Sequence, residues 1–395
     1  MTRHAMLLIA VLLLGCPLAG RAQNYDESKA GTYVLPELLQ TESKEKIDNA
    51  KDWETKRRPE LLALFEEHVY GRMPASYDKI GFRLTRVDPA AMQGRAILKE
   101  VEITVTEKSD SVKINLILFV PAGRKKPAPA MLLINNRSRR NTLASRDSVS
   151  GFWPAEQVIA SGYAIAAFHY SDAAPDNKDT YQQGVLRLYP ELARADDGMK
   201  AVGAWAWAAS RAMDYLVTDK DIDARKVGVV GHSRGGKATL WAAAQDQRFA
   251  ICFSNCSGNT GAALSRRNFG ESVAVINRQF PHWFNNNYKQ YNDNEQALPV
   301  DQHMLIALMA PRPVYATNAT KDLWADPTGT FLAIKHAEPV FALYKQPSHL
   351  PAVPPAPDTP VTRPPLGYHN RTGVHDLTFF DWAQFVRFAD AYYAK

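Results

Sequence analysis

Cysteine is scarce in this chain: three in 395 residues, one of which, Cys16, lies in an apolar stretch at the amino end. A disulfide framework therefore cannot organise the fold, which must rest on a packed core. Long hydrophobic runs are missing too. Met6 to Leu14 is apolar but far shorter than the ~20 residues of a bilayer-crossing helix, so no membrane span is expected. Charge of one sign is also lacking, with 47 Lys and Arg against 41 Asp and Glu, a net +6. Such a mild excess does not mark a nucleic-acid partner, and the cluster Arg137-Ser138-Arg139-Arg140 reads as a solvated loop. The histidines show no ligand spacing such as HExxH, so no metal is expected. Internal repeats are absent as well, and the 46% of hydrophobic residues is ample for a large core.

The amino end does carry an export-type leader. Thr2-Arg3-His4 is basic, Met6 to Leu14 is apolar, and Gly20-Arg21-Ala22 offers small residues for cleavage, which predicts an exported, periplasmic or secreted chain over 23–395. Loss of Arg3 and Arg21 would lower the charge from +6 to +4. Leu13-Leu14-Gly15-Cys16 also resembles a bacterial lipoprotein box, the alternative in which a lipid on Cys16 anchors the protein to the outer membrane. Cys252, in the predicted strand Ala250 to Ser254, reads as a packed hydrophobe rather than as a bridge to Cys256.

Periodicity then orders the chain. Ser43 to Tyr70 reads as helical and ends at Gly71-Arg72-Met73-Pro74. Alternating runs at Phe82–Val87, Glu100–Val105 and Val112–Val120 predict antiparallel strands at one sheet edge. Pro129–Asn135, Gly162–Tyr170, Phe249–Asn255 and Arg312–Asn318 read as later strands, the first two apolar enough for burial on both faces. Helices are expected over Asp196–Val217 and Leu377–Tyr392. Gln346 to Gly367 holds eight prolines but precedes that last helix, so it reads as a rigid surface loop near the carboxyl end of the sheet. Together these elements predict one α/β domain over 23–395 with a mixed sheet.

The chemistry centres on Gly231-His232-Ser233-Arg234-Gly235, set between the apolar Val227–Val230 and the helix-like Lys237–Ala244. Strand, sharp turn and helix around a GxSxG serine form a nucleophile elbow, with small residues where strand and helix come closest. A serine oxygen needs an imidazole to take its proton, and the imidazole needs an acid to fix its tautomer. On such folds acid and base follow the serine in chain order. His375, in the loop before the last helix, fits the base; His369 reads as strand-borne and structural. Asp322, just past the strand ending at Asn318, fits the acid, while Asp326 suits the cap of a helix starting near Thr328. The Arg234 amide is the expected oxyanion donor, a second could come from the loop after Asn136, and the Arg234 guanidinium could reach the same oxygen.

These motifs, with Trp205–Leu216, Ser257-Gly258, Gly261–Glu271, Phe280-Pro281-His282-Trp283-Phe284, Gly373–Thr378, and Arg58–Leu61 running into Glu66–Pro74, resemble carbohydrate esterase family 15, the glucuronoyl esterases. The resemblance implies an α/β-hydrolase fold, a three-layer sandwich with a mostly parallel central sheet and an antiparallel N-terminal edge. It also implies cleavage, without a cofactor, of esters between 4-O-methyl-glucuronic acid on glucuronoxylan and lignin alcohols. By position it implies Ser233 as nucleophile, His375 as base, Arg234 as oxyanion stabiliser, and Lys237, Glu271 and Trp324 as sugar contacts. Many members carry the acid just after the strand that follows the elbow helix, where this chain has Cys256, so the acid falls to Asp322. An acetyl xylan esterase on the same scaffold is the alternative reading, a non-catalytic carbohydrate-binding protein a remote one, and a monomer is expected.

Overall fold

The computed structural model describes residues 23–394; the leader and Cys16 lie outside the described residues. Nine strands form one sheet: β1 (Lys79–Ala90), β2 (Ala96–Glu107), β3 (Asp110–Pro121), β4 (Ala128–Asn135), β5 (Ala164–His169), β6 (Ile222–His232), β7 (Ile251–Asn255), β8 (Val314–Ala319) and β9 (Leu366–Arg371). Their order is β1-β2-β3-β5-β4-β6-β7-β8-β9. The β1–β2, β2–β3 and β3–β5 pairs are antiparallel, and every pair from β5–β4 to β8–β9 is parallel.

The continuous apolar reading of β4 has its cause here. Ala130, Leu132 and Ile134 pack into the core on one face, with Trp205 and Trp241, while Met131 and Leu133 pack on the other with Trp153 and Trp382. Helices Ala201–Leu216, Arg234–Gln245 and Pro327–Leu343 cover the first face, and Ala155–Ala160 and Phe379–Tyr393 the second. No helix among the described residues is long and apolar enough to cross a membrane.

Three expectations need correction. The opening helical stretch begins at Ala50, not Ser43, because Asn49 caps it by accepting the Asp52 amide, while Thr41 to Ile47 close a turn onto Leu39. The Ala-Trp helix begins at Ala201 rather than Asp196. Residues 197–199 are instead tied to Arg72 by backbone bonds, and a Cβ on Gly198 would sit 1.7 Å from the Leu192 carbonyl. The proline-rich loop, expected near the carboxyl end of the sheet, lies there only in part. It runs antiparallel along the outer edge of β9, bonding Val361 to Tyr368 in both directions, and reaches that end only where Asp358 accepts from Thr372. It thereby shields an edge strand that would otherwise expose unpaired backbone groups. Cys252 and Cys256 are free thiols, both buried.

Candidate active site

Strand β6 ends at His232, and the helix Arg234–Gln245 starts one residue beyond Ser233. That leaves Ser233 alone at the apex with φ 55° and ψ −127°, a left-handed conformation costly for a side-chain-bearing residue. The crowding around it explains the flanking glycine: a Cβ on Gly231 would lie 2.2 Å from the Gly235 carbonyl and 2.3 Å from Thr239 Oγ1. The Ser233 amide donates to the Asn255 carbonyl (2.8 Å), which ties the turn to β7.

His375 and Asp322, distant in sequence, meet where β8 and β9 end. His375 Nδ1 donates to Asp322 Oδ2 at 2.5 Å; the carboxylate is 4% exposed and the imidazole 37%. Asp326 lies elsewhere. It caps the helix Pro327–Leu343 through the Gly329 amide (2.8 Å) and pairs with Arg267 (2.9 Å), and burial outweighs that arginine to push its carboxyl up to about 6. Ser233, Arg234, Lys237, Glu271, Asp322, Trp324 and His375 all line one cavity of about 330 Å³, which Cys256, Ser257, Gly258, Phe280 and Trp283 complete.

The Arg234 guanidinium is held on three sides. It forms an ion pair with Asp176 and lies over the rings of Trp283 (5.0 Å) and Phe280 (5.7 Å), which stack on each other at 3.8 Å. Asp176 also accepts from His282 Nε2 (2.8 Å) and Trp283 Nε1 (2.7 Å). Burial opposes its ionisation, but these donors and Arg234 outweigh that and hold the carboxyl down at about 2. Arg234 Nε is buried with no protein partner. Nothing in the sequence pattern pointed to Asp176, which sits in an irregular stretch between β5 and the helix Ala201–Leu216.

Lys237 Nζ meets Glu271 Oε2 at 2.7 Å and also donates to the Asn259 carbonyl. Burial lowers the lysine's pKa, and Glu271 works against that. The two therefore form a paired floor to the cavity rather than two separate charges. Trp324 joins this floor through its carbonyl, which accepts the Glu271 amide (2.9 Å).

No sequence pattern marked the polar assembly behind the histidine. Arg371 Nη2 donates to the Val374 (2.8 Å) and Asp376 (2.7 Å) carbonyls, and Arg137 Nη2 donates to that of His375 (3.0 Å), so two arginines clamp the 374–376 loop. The Arg137 amide, in the loop expected to offer a second oxyanion donor, is taken up by Asn135 Oδ1 (3.0 Å). Arg137 Nη2 also meets His232 Nε2 (3.0 Å), whose Nδ1 donates to Asn255 Oδ1 (2.5 Å). Burial, then the neighbouring His375, hold the His232 pKa well below its usual value, so this ring is neutral.

Residues 103–344 match the family described as glucuronyl esterase, fungi. The chain is 40% identical to carbohydrate esterase MZ0003 from an unknown prokaryotic organism, over 94% of this chain and 92% of that one. It is 26% identical to the 4-O-methyl-glucuronoyl methylesterase of Schizophyllum commune, covering 78% and 73%. Among solved structures, a glucuronoyl esterase from Solibacter usitatus superposes with a TM-score of 0.86 at 41% identity, covering 92% of this chain and 99% of that one. A promiscuous family 15 esterase from a marine bacterial metagenome gives 0.86 at 40%, covering 94% and 100%. Sheet order, elbow and relatives define a carboxylic ester hydrolase of the α/β-hydrolase fold. Within that class the chain belongs to carbohydrate esterase family 15, the glucuronoyl esterases.

Proposed function

We propose that this protein is a serine esterase that cleaves the ester between a 4-O-methyl-glucuronoyl group of glucuronoxylan and a lignin alcohol, with Ser233, His375 and Asp322 as its triad. The bond from His375 Nδ1 to Asp322, made inside the cavity that Ser233 and Arg234 line, carries this reading. Because Asp322 holds the proton on Nδ1, His375 Nε2 is left with a lone pair to take the Ser233 hydroxyl proton as Oγ attacks the ester carbonyl. Arg234, by amide and guanidinium, stabilises the oxyanion. The protonated imidazole then gives its proton to the departing alcohol, and an acyl-enzyme forms on Oγ. Water, deprotonated by the same nitrogen, releases the uronic acid and restores the serine. Lys237, Glu271 and Trp324 receive the sugar, the first two through hydroxyls and the indole through a ring face. Export, directed by the leader at residues 1–22, brings the enzyme to a polymer that cannot enter a cell.

A second reading, an acetyl xylan esterase or related carbohydrate acetyl esterase, draws on the 40% identity to a relative described as promiscuous, which supports a scaffold not tied to one ester. Rates on a benzyl ester of glucuronic acid and on acetylated xylan, measured with wild type and Ser233→Ala, separate the two. The uronate ester is expected to be the better substrate and the variant inactive on both. Preference for acetyl groups overturns the first reading, and turnover that survives Ser233→Ala overturns the triad.

A further inference from the structure

Cys256 stands against the acid and base of the candidate triad, and the mechanism above gives it nothing to do. Its Sγ, a carboxylate oxygen of Asp322 and a ring nitrogen of His375 all lie within 4.8 Å of one another, and this is the one such trio among the described residues. Three elements bring them together: Cys256 follows β7, Asp322 follows β8, and His375 follows β9. No spacing along the sequence could have shown the group, since its members are 66 and 53 positions apart.

We propose that Cys256, Asp322 and His375 form a binding site for a thiophilic divalent cation, of which Zn²⁺ is the type, and that occupancy switches the esterase off. One sulfur, one imidazole nitrogen and one carboxylate oxygen is a donor set that suits zinc and its softer relatives rather than magnesium or calcium. The charges also match the surroundings. The thiolate and the carboxylate together neutralise a divalent ion, so the filled site carries no net charge in a pocket in which Cys256 and Asp322 are buried.

Tetrahedral zinc with bonds of about 2.0–2.3 Å keeps its ligand atoms about 3.3–3.6 Å apart. The Nδ1–Oδ2 contact of 2.5 Å must therefore open by about 1 Å, and the sulfur must close in by a similar amount or less. The His375 ring is 37% exposed, so it can turn about its own side-chain bonds by that amount while the clamped backbone of its loop stays in place. In the binding step the S–H bond breaks and its proton leaves to solvent, while bonds form from the ion to Sγ, Oδ2 and Nδ1. The proton formerly on Nδ1 passes to Nε2. No electron changes hands. A ring with Nε2 protonated has no lone pair to offer Ser233, which is how the ion stops turnover. This last step rests on His375 being the base; binding itself does not.

Two readouts keep these apart. Zn²⁺ titrated into wild-type enzyme is expected to suppress ester hydrolysis, and a chelator to restore it. In Cys256→Ala, and in the closer isostere Cys256→Ser, each compared with its own metal-free rate, the half-inhibitory concentration should rise by about tenfold or more, since even losing a group that only supports a ligand costs about 10–100-fold in metal affinity. Co²⁺ read by its thiolate charge-transfer absorption reports binding without any substrate. The band should appear in wild type and in Cys252→Ala, and vanish in both Cys256 variants. Cobalt absorption lost with Cys256 but no zinc inhibition would keep the site and overturn His375 as base. Equal inhibition of Cys256→Ala and wild type, or no thiolate band in wild type, overturns the site.

Discussion

Replacing Asp322 by asparagine preserves the side chain's shape and removes the carboxylate bonded to His375. At 2.5 Å from Nδ1, Asp322 keeps the ring proton on that nitrogen. An asparagine can turn its amide nitrogen toward the ring, draw the proton to Nε2, and leave the imidazole unable to accept from Ser233. Neighbouring acids cannot stand in: Asp376 faces Arg137 (3.4 Å), and Asp381 is occupied by His369 (2.9 Å) and Arg371 (3.0 Å). The expected loss in kcat is ~10³–10⁴-fold, or about 4–5 kcal/mol of transition-state stabilisation. Asp326→Asn is the matched control. It removes one of the two carboxylate partners of a buried arginine, Glu27 being the other, and should cost less than the about 3–5 kcal/mol of an uncompensated buried charge, and molecules that remain folded should turn over within a few-fold of wild type. Steady-state kinetics on a glucuronate ester, run beside thermal melts of both variants, decide the matter. If Asp322→Asn stays within about tenfold of wild type, or if both variants lose kcat equally, the reasoning about the acid fails.

Asp176→Asn should loosen the Arg234 guanidinium and lower kcat/KM by about tenfold, less than outright removal of an oxyanion donor, with Arg234→Met as the reference. Asp176 also predicts acid sensitivity. A carboxyl held at about 2 in the fold against an ordinary 3.8 contributes about 2 kcal/mol that is fully present above 3.8 and is lost as pH falls through 2; other carboxyls titrate over the same range, so chemical denaturation should show a loss of stability from pH 6 to pH 2 that is about 2 kcal/mol larger in wild type than in the variant. Gly231→Ala forces a methyl to within 2.2 Å of a carbonyl, so stability should fall as for an overpacked core, by about 1–3 kcal/mol or more, and the melting temperature with it; an unchanged melt would show that the elbow tolerates a side chain there. Arg137→Met frees the His375 carbonyl, and kcat should fall by about tenfold or more with KM little moved; a change confined to KM would point to a substrate contact instead.

What could be read from the sequence was what local physics dictates. Buried parallel strands such as β4 announced themselves because both faces pack, which removes polar alternation. The elbow announced itself because one turn imposes glycines at fixed offsets. The capping role of Asp326 was legible because Asp326-Pro327-Thr328 carries a helix-start signature, and the structure gives Asp326 that bond while Asp322 meets His375. Helix starts at Ser43 and Asp196 misled because the flanking residues have helix-like composition, while caps and long-range backbone bonds set the true boundaries. Asp176, Arg137 and Arg371 were invisible for a different reason. Their partners lie in other elements, and no periodicity records a side chain that crosses from one loop to another.

The polar assembly under the candidate triad is better explained by order than by stability. Both ring nitrogens of His232 and His369, both amide atoms of Asn255 and both oxygens of Asp381 have partners in a region closed to water. Burying such groups is expensive, and well-packed apolar residues of the same volume would often be at least as stable. A fully satisfied network, however, admits few alternative arrangements. Here its two ends are the backbone of Ser233, through the Asn255 carbonyl, and the 374–376 loop, through Arg371. A shift of either end must break bonds at the other. The elbow serine and the imidazole are thus referenced to one rigid body even though 142 positions separate them in sequence, which is the geometric control that the proposed proton transfer between them requires.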